Sequence, residues 1–221
     1  MMRRIFFTIA ILLFSWNVFS QGIQFEIGSW KEVLQKAKQE NKLIFVDLYT
    51  TWCGPCKKMA AETFPQQAVG DYFNKNFVNY KIDAEKGEGP ELAGKYEVSA
   101  YPTLVFVNAA GELVYKFMGV RTADKLIAEG EKAVRLYALA PSIAAMEKEY
   151  EQGKRGKVFL GEYYALLKES GAGGGIVLNE YLKCLSDEEL LLEENVSNIG
   201  NISIFDPVLF DRLVKGIKKV E

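Results

Sequence analysis

The sequence predicts a mixed α/β sheet flanked by helices, with an all-α extension behind it. Two observations lead there. Between Trp30 and Leu139, helical periodicities alternate with short apolar runs of strand length, the order expected when helical crossovers join the strands of a sheet. Beyond Pro141 the texture changes, and apolar residues recur only at spacings of three and four. A chain of 221 residues, 49% of them hydrophobic, can build one ordinary core and a smaller second one.

The elements follow in order. Residues 1–20 read as a signal peptide. Arg3 and Arg4 precede the apolar run from Ile5 to Phe14, and Val18 and Ser20 hold the small-residue positions before a cut ahead of Gln21. The run is short for a bilayer span, so cleavage and export are expected. Cleavage takes the 27 basic residues to 25, against 29 acidic ones. Ser29 with Glu32 has the spacing of a capping box, and Trp30, Val33, Leu34 and Ala37 follow at helical intervals. Leu43 to Thr50 is a continuous apolar run, as in a strand covered on both faces. A helical stretch from Cys53 to about Phe64 ends or bends at Pro65.

Phe77 to Asp83 forms the second strand, and Pro90 opens a short helix after a loop. Tyr101 to Val107 is the third strand, and a turn at Gly111 reverses it into "LVYKFMG". Thr122 then caps a helix closing near Leu139. This assigns residues 21–140 to the α/β domain and 141–221 to the helical region, with "GAGGG" at 171–175 as a joint. In the helical region "SIAAMEKEYEQG", "KVFLGEYYALLKES" and "IVLNEYLKCLSDEELLLEEN" each read as a helix, and "FDPVLFDRLVKGIKKV" as a weaker one.

Near-neutral charge without a basic block argues against nucleic acid as a partner. The absence of histidine removes Ser-His-Asp and Cys-His pairs and any zinc site that needs imidazole. A thiol is left as the easy catalyst, and Cys53 and Cys56 stand two residues apart in "VDLYTTWCGPCKKMA". Cys53 falls at the start of a helix, where free backbone N–H groups and the dipole favour a thiolate. Gly54 allows close approach, and Pro55 fits a first helical turn, where its missing N–H is no loss. A zinc site would find only Cys184 as a further soft ligand, and a staple across so short a loop would stabilise little. Asp47 interrupts an apolar strand, so burial should raise its pKa. Cys184 reads as a small buried apolar residue on a helix with Val177 and Tyr181.

Three separated landmarks resemble the thioredoxin superfamily over about residues 23–139: "WCGPC" at 52–56, the acid Asp47 six residues before the first cysteine, and "VSAYPTLVFVNAAGE" followed by Gly119. The chain looks most similar to exported bacterial thioredoxin-like proteins, which implies a periplasmic location. The resemblance implies a thioredoxin-like fold and a dithiol–disulfide exchange site. In it Cys53 attacks and Cys56 resolves, the two forming a redox-active disulfide, with Asp47 exchanging a proton with Cys56. Trp52, Gly54 and Pro55 support the site. Tyr101 and a cis Pro102 would contact the bound peptide, and Trp52 and Tyr101 would form an apolar rim. Departures are Tyr49 where tryptophan is common, Tyr101 before the proline, and Asn79 near the usual place of a lysine beside the buried acid. The expected activity is reduction of protein disulfides, with no cofactor or metal. Electrons would come from a membrane-embedded thiol donor. Alternatives are a disulfide oxidase or isomerase, or an interaction module whose helical tail binds another protein.

Overall fold

The first helix, α1 (Trp30–Glu40), begins at a complete capping box. The Ser29 side chain accepts from the Glu32 backbone N–H, and the Glu32 carboxylate accepts from the Ser29 N–H. The computed structural model describes residues 22–199 and 206–218. The expected signal peptide lies outside them. No helix among the described residues is long and apolar enough to cross a membrane.

Strand β1 (Leu43–Tyr49) is buried at every position but its last. It pairs in parallel with β2 (Phe77–Asp83), from Leu43 opposite Phe77 to Tyr49 opposite Asp83. β3 (Thr103–Val107) and β4 (Leu113–Met118) complete a four-stranded sheet in the order β2-β1-β3-β4. Gly111, in the turn joining the last two, has φ +75, a conformation that favours glycine. Between β1 and β2 the helical stretch is divided. A short α2 (Gly54–Lys58) runs into a π-helical turn (Met59–Thr63), and after Pro65 the chain resumes as α3 (Gln67–Asn76). The sequence reading passed over α3, whose buried face is only Val69, Gly70 and Phe73. α4 (Gly89–Lys95) carries Pro90 in its first turn, as expected.

Pro141 does not end the next helix. α5 (Ala123–Glu151) runs through it for 29 residues and absorbs the segment expected as a separate helix. Pro141 cannot donate to the Tyr137 carbonyl, but both residues are exposed, so water can take that bond. α6 (Lys157–Ser170) follows as expected. The long helix expected after the glycine-rich joint is three: α7 (Gly175–Lys183), α8 (Asp187–Leu190) and α9 (Glu193–Ile199). Ser186 and Glu189 form a second capping box there, which starts a new helix and interrupts the old one. α10 (Pro207–Ile217) is capped by Asp206.

The chain divides into two compact units. The first runs to Val105 and adds Ala109–Gly111 and Lys116–Ile127; the second holds Phe106–Asn108, Glu112–Tyr115 and everything from Ala128 onward. Inside the first, Phe73 packs edge-on against Phe45 at 4.7 Å and lies 5.2 Å from Phe77. Inside the second, Phe159, Leu160 and Tyr163 pack with Leu178, Leu182 and Leu209. Phe73 is fully buried. Phe73→Ala should therefore lower the unfolding free energy by about 3–5 kcal/mol, read from urea denaturation, because the neighbouring rings cannot collapse into the void.

Candidate active site

β1 carries one acid through the core. Asp47 is 1% exposed, and the parallel register sets it opposite Lys81. Lys81 Nζ lies 3.2 Å from Asp47 Oδ2. The ammonium also faces three rings, Tyr49 at 4.6 Å, Phe64 at 5.5 Å and Phe25 at 5.9 Å. This lysine was sought near Asn79. The register puts Asn79 opposite Phe45, and its amide donates to Gln24 O and Asn74 Oδ1. The signal for Lys81 was present: Asp47 and Lys81 are each the fifth residue of a seven-residue strand. Burial pushes the Asp47 pKa up to about 6, and the charge and hydrogen bonding of Lys81 pull against it.

Past β1 the chain turns into α2, and Cys53 is its N-cap. Cys53 Sγ accepts from the Cys56 N–H at 3.0 Å, and the two sulfurs are joined as a disulfide. Cys53 and Cys56 are each 3% exposed. Pro55 lies in the first turn, as expected. Gly54 is exposed, and a Cβ there would meet nothing within 4 Å. Lys57 and Lys58 are exposed in the same helix.

The two residues expected to form a rim meet each other. Trp52 is 65% exposed, and its ring meets that of Tyr101 edge-on at 5.9 Å. Its indole N–H donates to Glu85 Oε1 at 3.0 Å. The Tyr101–Pro102 bond is cis. Pro102 is buried, and its carbonyl accepts from the Gly119 N–H at 2.9 Å. Met118 and Val120, on either side of Gly119, are both exposed. Residues far apart in sequence thus meet: Trp52 with Tyr101, and Asp47 with Lys81.

The thioredoxin family model matches residues 23–132. Thioredoxin H4 of Arabidopsis thaliana is 38% identical over 95 residues, covering 43% of this chain and 75% of that protein. A thioredoxin of Staphylococcus epidermidis is 39% identical over 90 residues, covering 41% of this chain and 81% of the relative. The chain belongs to the thioredoxin family. A protein disulfide-isomerase of Datisca glomerata is 31% identical over 88 residues, 40% of this chain but 17% of that protein. The chain therefore spans less than a fifth of the isomerases it matches.

Two further features of this thioredoxin-family site escaped sequence reasoning. Glu85, the indole's partner, follows β2 directly. Because the parallel strands end level, the Ala84 N–H reaches Tyr49 O at 2.8 Å, and Glu85 lands beside the motif that follows β1. The second is a cavity of about 230 Å³ bordered by Cys56, Lys81, Tyr49, Thr50 and Ala60. Both the inner cysteine and the partner of Asp47 line it. Cys184 departs from expectation. It is exposed, because α7 ends at Lys183 and leaves it as the C-cap instead of on a buried face.

The raised Asp47 pKa has a stability consequence with a definite sign. The folded state holds the Asp47 proton more tightly than the unfolded chain, so the contribution of Asp47 to stability is fullest below pH 4 and is lost as pH rises through about 6. Asp47→Asn should remove that loss. At pH 7.5 the variant should be more stable than wild type by about 2–3 kcal/mol, and at pH 4 nearly equal to it, as checked by urea denaturation across that range.

Proposed function

We propose that this protein is a thiol–disulfide oxidoreductase that reduces disulfides in protein clients. The observation that carries this reading is the disulfide at the N-cap of α2, with Cys53 Sγ already accepting a backbone N–H. That N–H and the helix dipole stabilise negative charge on the outer sulfur once the bond is opened, and a thiolate is the attacking species.

The cycle balances. The Cys53 thiolate attacks one sulfur of a client disulfide, forming a Cys53–client bond and expelling the other client sulfur as a thiolate that takes up a proton. Cys56 then loses its proton and attacks Cys53 Sγ, breaking the mixed disulfide and releasing the second client thiol. Two electrons pass to the client, and Cys53–Cys56 is left oxidised. A dithiol donor restores it, and in an oxidising compartment reached by export that donor is a membrane-embedded thiol protein. Asp47, its pKa raised to about 6, serves as the base for the Cys56 proton, through water. Trp52 and Tyr101 form an apolar rim around a sulfur that is itself nearly buried, so a client must lie flat against it. The backbone before Pro102 pairs with the client as an added strand. The fold leaves space for a side chain at Gly54, so the close approach of a client backbone is the reason for glycine there. Reduction is favoured over oxidation or isomerisation by the Gly-Pro pair between the cysteines, which resembles that of reducing thioredoxins.

Insulin turbidity with dithiothreitol as electron source tests this reading. Wild type should accelerate precipitation of the insulin chains, and Cys53→Ser should reduce the rate to that of dithiothreitol alone. Cys56→Ser should accumulate a Cys53-linked client adduct that migrates at higher mass without reductant. Absence of both acceleration and adduct would exclude the exchange reaction.

A further inference from the structure

The π-helical turn beyond α2 places one buried polar side chain between the two halves of the site. Thr63 is 4% exposed, and its hydroxyl donates to the Arg121 carbonyl at 2.9 Å. The wide turn closes through the Phe64 N–H to Met59 O at 2.9 Å, five residues back, so Thr63 is rotated away from where a regular α-helix would put it. The acceptor belongs to the loop at 118–121. That loop is tied to itself by the Arg121 guanidinium, which donates to the Met118 and Val120 carbonyls at 3.2 Å and lies 4.5 Å over the Phe117 ring. It is tied to the peptide-facing strand by Gly119, whose N–H donates to Pro102 O. Gly119 holds φ +89, so the loop's path there is one that other residues rarely follow.

Resting on the exchange reading above, we propose that Thr63 is a positioning residue for protein clients. It sets the 118–121 loop, and through Gly119 the Pro102 backbone, at a fixed offset from the helix that carries Cys56. The physical reason is a relay of two links: the Thr63 hydroxyl holds the loop backbone at Arg121, and the Gly119 N–H continues from the loop to Pro102. A client strand has to pair beside Pro102 while its sulfur meets Cys53, so both anchors must hold the same spacing. Losing the Thr63 bond leaves the Arg121 carbonyl buried or loosely hydrated and lets the loop drift. The chemistry at the two sulfurs does not depend on that bond; capture of a large client does.

The test separates capture from chemistry. With insulin as substrate, Thr63→Val should raise KM about five-fold, the scale of one lost hydrogen bond, while kcat stays within about two-fold. The Cys53–Cys56 reduction potential should not move, and Thr63→Ser should restore KM. Arg121→Gln, on an exposed loop, should give the same selective rise in KM and add little to Thr63→Val in the double variant, which keeps the inference testable if Thr63→Val does not fold. Unchanged KM in both single variants, failure of Thr63→Ser to restore it, or a shifted reduction potential would overturn the assignment while wild-type turnover left the functional reading standing. A wild type inert toward insulin would overturn both.

Discussion

A strand sealed on both faces cannot slide, and the site is built on that restraint. A one-residue slip of β1 would bring Asp47 opposite a different neighbour and move the start of the cysteine motif with it. Leu43 to Leu48 are all buried, so each apolar contact opposes such a slip. The same register brings Lys81 to Asp47 and lets Ala84 close against Tyr49, which sets Glu85 within reach of the Trp52 indole N–H. An acid–base pair and an aromatic support thus follow from one parallel alignment.

The buried acid is held between opposing forces. Burial favours the neutral form; Lys81 favours the charged one; burial wins by enough to bring the pKa to about 6. The lysine is itself shared, since Tyr49, Phe64 and Phe25 present ring faces to the same ammonium. The raised pKa means that the ionised form of Asp47 is held at a cost in stability.

Much of the fold was legible because its signals are local. The capping box at Ser29, the unbroken run of β1, the glycine of the β3–β4 turn and the position of Cys53 at a helix start each depend on a few adjacent residues. The misreadings share a cause. Pro141 is a strong breaker by local rules, yet α5 tolerates it where the freed Tyr137 carbonyl can meet water. Cys184 fits an apolar periodicity, but the helix ends one residue before it. Asn79 was placed by approximate distance along the chain, and only the strand register assigns the lysine to position 81.

By itself the sequence determined the chemistry: two thiols one helical turn apart, an acid in an apolar strand, and no imidazole to offer an alternative. Those are covalent and short-range facts, independent of how the rest of the chain closes. The tertiary structure decided the surroundings of that chemistry: the ammonium facing Asp47, the tyrosine ring against Trp52, the carboxylate on the indole, and the hydroxyl that reaches from the π-turn to the loop beside Pro102. Each is a contact between residues distant in sequence, and such contacts exist only once strand pairing and helix packing have fixed a register that no local pattern encodes.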